Sequence, residues 1–180
     1  MLEMLEEEYE IINGEEVMLS AASIPHLRIQ RNLTRILDNY LMGKRCEVFA
    51  EAMVVFENRN KFQPDLLVVC DKNKIKETHI EGAPDFVVEV LSFATQLRDF
   101  GIKKDIYEKY GVREYWIINP KDKTIMVYLL KDGNYRIDNV YHSYTEEEWD
   151  ALSDKEKSQQ KLTLKLSLYD DLEIDVRDIF

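Results

Sequence analysis

This sequence predicts an α/β fold: a mixed β-sheet flanked by helices, with a β-hairpin at its N-terminal end. Three observations carry that reading. Between Ser23 and Gly43, apolar residues recur at three- and four-residue spacing. From Cys46 to Leu91, and again from Glu114 to Leu130, short runs of strand-forming residues alternate with polar punctuation. Near the start, "YEIINGEEVML" splits into two strand-like halves around Asn13-Gly14. That dipeptide tolerates the positive φ angles of a two-residue hairpin turn.

The elements follow in order. After the hairpin, "SIPHLRIQRNLTRILDNYLMG" sets Ile29, Leu33, Ile36, Leu37, Tyr40 and Leu41 on one stripe, which predicts a helix with Ser23 as N-cap and Gly43 as its stop. Strands are expected in "CEVFAEAMVVF", divided near Ala50 to Ala52, then in "DLLVVC" and "FVVEVL", with "ENRNK" and "DKNKIKE" as connections. "QLRDFGIKKDIYEKYGV" predicts one further helix closed by Gly111, and "EYWIIN" and "TIMVYLL" two more strands, the second turning at Lys131 to Asn134. Thr145 with Glu148 and Ser153 with Glu156 have capping-box spacing, which predicts short surface helices over 145–160. The alternation of Leu162, Leu164, Leu166 and Leu168 predicts a half-buried strand. With 180 residues and no internal repeat or linker-like tract, one domain over 1–180 is expected, with 1–20 as an N-terminal hairpin extension and 145–160 as a helical insertion.

Composition sets limits on function. The opening "MLEMLEEEYE" is acidic where a secretory segment would begin basic and turn apolar, and no run is long enough to span a bilayer. A cytoplasmic protein is the expectation. Cys46 and Cys70 lie in apolar strand-like surroundings without metal-site spacing, so both are expected as reduced core residues. The net charge of −11 is concentrated at the two ends: residues 1–16 carry −7, residues 145–180 carry −6, and the middle, 17–144, carries +2. Such a body permits a polyanionic partner without requiring one.

Three charged residues stand out. Asp65 follows Pro64 at a strand start, where it either makes a local turn bond or lies at the mouth of the sheet. Asp85 follows Pro84 and reads as a strand-opening residue. Glu89 is harder to place: alternation sets Phe86, Val88 and Val90 on one face and Val87, Glu89 and Leu91 on the other, so the strand is apolar on both sides. An ionised carboxylate there costs several kcal/mol unless a metal ion or a basic side chain compensates it, or the strand lies at an edge where water reaches it. Lys103 borders the buried stripe of the following helix, either solvated or turned toward the strand ends. Together Asp65, Glu89 and Lys103 have the makings of a metal-assisted phosphodiester hydrolysis: oxygen ligands for a hard divalent cation, and an ammonium to orient water or neutralise developing charge.

In order along the chain, "YEIINGE", "QPDLLVV", "EGAPDFVVEVLS", "RDFGIKKDIYEKYGVREYWIINP" and "LEIDVRDIF" resemble the blocks of the Uma-two family. This is a bacterial group of restriction-endonuclease-like proteins in the PD-(D/E)XK nuclease superfamily. The resemblance implies a restriction-endonuclease-like fold with Asp65 and Glu89 as metal-binding carboxylates, magnesium or manganese as cofactor, and nucleic acid, with DNA expected, as substrate. A two-fold homodimer follows by analogy. Where the superfamily pattern has lysine two residues beyond the glutamate, this chain has Leu91, and the family pattern moves the lysine to the next helix, here Lys103. Glu15 and His26 fit the family's blocks as secondary site candidates, with a local helix-start hydrogen bond as the other role for His26. Gln63 neighbours the site, whereas Tyr115 and Trp116 read as core. A catalytically inactive relative serving as a binding or assembly module is the alternative.

Overall fold

The computed structural model describes residues 9–57 and 59–180; the first eight residues, including the start of the expected hairpin extension, lie outside the described residues. The hairpin forms from β1 (Tyr9–Ile12) and β2 (Glu15–Met18), with Asn13 at φ 54° and Gly14 at φ 91°. Consecutive positive φ angles match the right-handed twist of the flanking strands. Helix α1 (Ile24–Leu41) is capped by the Ser23 side chain, which accepts from the His26 backbone N–H at 3.4 Å.

Strands β3 (Glu47–Ala50), β4 (Val54–Glu57), β5 (Asn60–Phe62), β6 (Leu66–Val69), β7 (Ile80–Glu81) and β8 (Phe86–Val90) follow. Next come α2 (Gln96–Phe100) and α3 (Ile102–Tyr110), then β9 (Glu114–Asn119), β10 (Thr124–Lys131) and β11 (Asn134–His142). The chain closes with α4 (Glu146–Ala151), α5 (Asp154–Gln159), β12 (Thr163–Lys165) and β13 (Glu173–Asp175). Both α4 and α5 begin with reciprocal capping boxes, at Thr145/Glu148 and Ser153/Glu156.

Six strands form the main sheet in the order β11-β10-β9-β8-β6-β3, antiparallel except where β8 runs parallel to β9. A smaller five-stranded sheet, β2-β1-β5-β4-β7, packs beside it, and β12 pairs with β13. Each face of the main sheet has its own core. On one, Phe86, Val88 and Trp116 meet Ile29, Leu33 and Leu37 of α1 and the C-terminal Leu164 and Ile174. On the other, Val87, Tyr115 and Ile117 meet Phe62 of the small sheet and Ile106 and Tyr107 of α3. Each large apolar side chain so buried contributes about 1.5–3 kcal/mol. The alternation expected of β8 is therefore real, and it turns Glu89 toward the α3 side.

Four expectations are corrected. The helix expected from Gln96 to Gly111 breaks at Gly101, because a Cβ there would lie 2.8 Å from the Leu97 carbonyl oxygen and only glycine permits the approach. "ENRNK" is not merely a connection: Asn60 and Lys61 belong to β5, held because Asn60 Oδ1 accepts from the Asn13 N–H at 2.9 Å. The leucine-alternating strand is cut to three residues, since the Ser167 N–H leaves the ladder for Glu114 Oε2 at 2.7 Å. Cys46 and Cys70, expected as separate thiols, are joined in a disulfide with an S–S distance of 1.99 Å. Pairing of Glu47 with Val69 in antiparallel register sets the two cysteines opposite each other. Among the described residues, no helix is long and apolar enough to cross a membrane.

Candidate active site

Asp65 precedes β6 and Glu89 lies in β8. Because Leu66 is paired with Val88, continuing that antiparallel register by one step sets Asp65 opposite Glu89. Opposed residues on neighbouring strands project from the same face of the sheet. The Asp65 carboxylate bends back across the strand, and its Oδ2 accepts the Val90 N–H at 2.5 Å. Its Oδ1 meets His26 Nε2 at 2.9 Å, and its backbone carbonyl accepts from Gln30 Nε2 at 3.0 Å. His26 and Gln30 lie one turn apart on α1, so the helix grips Asp65 with two successive side chains.

Glu89 is engaged from α3. Its Oε1 is 2.6 Å from Lys103 Nζ and accepts from the Tyr107 hydroxyl at 2.7 Å. Lys103 and Tyr107 are separated by four residues, which stacks them on one helix face. The ammonium also meets Glu10 Oε1 at 2.9 Å and Asp99 Oδ1 at 3.8 Å. Glu10 in turn accepts the Gln63 N–H at 2.9 Å, which ties β1 to the approach of Pro64-Asp65. This is a buried cluster: Glu89 is 4% exposed, Lys103 3%, Glu10 1% and Asp99 1%. Leu91, where the superfamily pattern has lysine, is packed in the α3-side core, and the amine reaches Glu89 from Lys103 instead.

Burial pushes the Glu89 carboxyl well above its ordinary range; Lys103 pulls it down, and Asp99, Asp65 and Glu10 push it further up. Burial likewise raises Asp99, again with Lys103 opposing. Burial on its own would lower Lys103, but the charges of Glu89, Glu10 and Asp99 outweigh it and the net direction is upward. One ammonium thus keeps its proton among three carboxylates, and the surplus negative charge lies with the acids. His26 is also raised: burial opposes its charge, and the hydrogen bond and charge of Asp65, with Glu51 and Asp99, more than offset that.

These groups open on one cavity of about 430 Å³, lined among others by His26, Gln63, Asp65, Glu89, Asp99 and Lys103. Five carboxylates, from Glu10, Glu51, Asp65, Glu89 and Asp99, face two permanent cations, Arg98 and Lys103. Such a cavity repels an anionic substrate unless a cation is bound. Among the described residues, no three His, Cys, Asp or Glu side chains converge to hold a metal by themselves. Two carboxylates on adjacent strands do suit magnesium, which keeps several waters and accepts one or two protein carboxylates. Glu89 also leaves its Oε2 without a hydrogen-bond donor among the described residues. The donor set therefore fits a hard divalent ion in kind.

Of the sequence candidates, Asp65, Glu89, Lys103 and His26 line this one cavity. Glu15 does not: it opens β2 opposite Ile12, exposed at the hairpin turn, and Glu10 on the paired strand holds the inward position. Glu10 and Asp99 were not singled out by sequence reasoning. Glu10 carried the same signal as Glu89, a carboxylate in step with buried Ile12 on one strand face. Asp99 carried another, a position four residues before Lys103. Tyr115 and Trp116 are fully buried, with the Tyr115 hydroxyl donating to the Asp99 backbone carbonyl at 3.0 Å.

The model of the Uma2 family, described as "Putative restriction endonuclease", matches residues 1–171. The chain belongs to the Uma2 family. Two Synechocystis sp. proteins are similar: slr1290, 28% identical over 141 residues, 76% of this chain and 74% of that protein, and sll1609, 28% identical over 122 residues, 65% and 69%. Both are described as uncharacterized. In fold, the chain is similar to a crystal structure from Anabaena variabilis titled a "putative nuclease belonging to DUF820", with a TM-score of 0.72 and 21% identity, covering 99% of this chain and 93% of that one.

Proposed function

We propose that the protein is a divalent-cation-dependent nuclease that hydrolyses phosphodiester bonds in nucleic acid. The observation that carries this is that Asp65, just before β6, and Glu89 of β8 line one cavity, with Lys103 Nζ 2.6 Å from Glu89. Asp65 and Glu89 would hold magnesium or manganese, and the bound ion supplies Lewis acidity and a water of lowered pKa.

The chain's own residues do the rest. His26 and the Val90 N–H hold the Asp65 carboxylate in one orientation. The excess of carboxylates around Lys103 keeps its ammonium charged, so it can donate to an attacking water or to a phosphoryl oxygen as negative charge grows there. Tyr107, held protonated chiefly by burial, donates to Glu89 and fixes its rotamer. A relocated lysine serves here because what matters is where the ammonium sits, and the helix brings it to the carboxylate that Leu91 cannot reach.

The test is cleavage of labelled DNA and RNA with magnesium or manganese, for wild type, Asp65→Asn and Glu89→Gln. Metal-dependent cleavage that falls by about a hundredfold or more in each variant is the expected result, the scale of losing one charge-stabilising group. Cleavage that survives both substitutions would sink the assignment.

A second reading rests on the same short contact: if Lys103 is the permanent counter-ion of Glu89, the fold serves as a binding module without turnover. Wild-type protein that binds nucleic acid but cleaves none with either metal would favour that reading.

A further inference from the structure

One cation in the cavity is unaccounted for. Lys103 is already paired with Glu89 and Glu10, with Asp99 at 3.8 Å, but Arg98, on α2 immediately before Asp99, forms no ion pair among the described residues. Its Nη1 is shut off from solvent and has no hydrogen-bond partner there. A buried donor on a charged group is costly to leave unmade, and the guanidinium that carries it belongs to a side chain lining the cavity, so Arg98 is suited to an acceptor that arrives there with a ligand. None of the cavity's five carboxylates pairs with it among the described residues: Asp65 is held by His26 and Val90, Glu89 and Glu10 by Lys103, Asp99 Oδ1 lies 3.8 Å from Lys103 Nζ, and Glu51 forms no ion pair there.

An anion suits an unpaired guanidinium best, and its planar fork matches the paired oxygens of a phosphate. The wall beside it is chemically compatible. Ser92 and Thr95 both line the cavity, their hydroxyls 3.1 Å apart, and offer further hydrogen-bonding groups at the same mouth. The segment from Ser92 to Lys103 therefore carries a hydroxyl pair, an unmatched guanidinium and the charged cluster in succession.

Resting on the nuclease reading above, we propose that Arg98 binds a backbone phosphate of the substrate strand and so lets a polyanion enter a cavity dominated by carboxylates. Arg98 is then a phosphate-binding residue, while Asp65 and Glu89 carry the reaction.

The experiment is equilibrium binding of short fluorescein-labelled DNA, duplex and single-stranded, in calcium over a series of salt concentrations. Wild type, Arg98→Gln, Arg98→Lys and Glu89→Gln are compared, with a thermal melt of each. Arg98→Gln is expected to bind roughly tenfold more weakly, the scale of one charge-assisted contact. Its plot of log affinity against log salt should be shallower by about one phosphate contact. Arg98→Lys should restore the slope but only part of the affinity, because an ammonium lacks the fork.

Wild-type affinity and slope in Arg98→Gln would overturn the proposal. So would weaker binding with an unchanged slope, which marks a merely structural role, or a wild type that binds neither probe. If wild type binds through Arg98 but cleaves with no metal, the hydrolase reading fails and the phosphate site stands. If wild type cleaves and Arg98→Gln matches it in binding and rate, only the phosphate site fails.

Discussion

Lys103 holds the centre of the site, and removing it tests the electrostatics most directly. Lys103→Met keeps much of the side-chain volume but leaves Glu10, Glu89 and Asp99 buried around no positive charge. Breaking such a cluster costs about 3–5 kcal/mol. Because burial raises Glu89 and Asp99, these acids bind protons more tightly folded than unfolded. Stability from that protonation is present at low pH and lost as pH rises through their folded pKa values. Urea melts should therefore show the deficit of Lys103→Met shrinking at acid pH and widening toward neutrality; a pH-independent deficit would contradict this account of the cluster. His26 has the same sign for a different reason. Its folded pKa is raised above 6.5, so the stabilisation it shares with Asp65 is full below 6.5 and fades as pH climbs through the folded value. His26→Asn should lose most stability relative to wild type on the acid side of that window and least on the alkaline side.

At the scale of elements, the break between α2 and α3 sets where Asp99 and Lys103 meet. Gly101→Ala would push a methyl group to 2.8 Å from the Leu97 carbonyl oxygen, so the two helices must shift. A loss of about 1–3 kcal/mol follows. Activity should fall further than stability alone explains, seen as reduced kcat at a temperature where the variant is fully folded; unchanged kcat would show that the break does not position the lysine. This break also marks the limit of what the sequence disclosed. Periodicity revealed α1, β8 and the outer hairpins, because those signals are local: apolar spacing, a Ser23 cap and paired positive-φ turn residues. Glu89 was legible because a lone carboxylate contradicted its strand. The contact between Gly101 and Leu97, the capture of Ser167 by Glu114 and the facing of Cys46 by Cys70 are decided by neighbours distant or hidden in the pattern, and no window on the chain displays them. Glu10 differs: its local signal, a carboxylate in step with Ile12, was there to read, and only the partner that gives it a role lies out of sight, 93 residues away.

Across the whole molecule, a further buried carboxylate, not among the residues lining the cavity, fastens the C-terminal segment. Glu114 is fully buried on β9; its Oε1 accepts from Trp116 Nε1 at 2.6 Å and its Oε2 from the Ser167 N–H at 2.7 Å. Burial raises its pKa against these bonds. Glu114→Ala would strand the buried Trp116 Nε1 donor, take the acceptor from the Ser167 N–H and open a void, a loss of about 2–4 kcal/mol, whereas the proposed catalysis per folded molecule should be spared.

The charge balance of the chain bears on the cation in turn. With −11 overall and five carboxylates at one cavity, the proposed divalent ion would lower the self-repulsion of the folded state and would have no comparable site in the unfolded chain. A ligand that binds only the native state stabilises it by RT ln(1 + [L]/Kd), so magnesium or manganese at ten times its Kd should contribute about 1.4 kcal/mol. For a chain of this length that is a rise in Tm of roughly 3–6 °C. Thermal melts with and without the metal should show the rise in wild type, its reversal by EDTA, and its near absence in Asp65→Asn, where one ligand charge is gone. An equal rise in the variant would place the ion elsewhere on this acidic surface, and would leave Asp65 and Glu89 without the metal their pairing is proposed to hold.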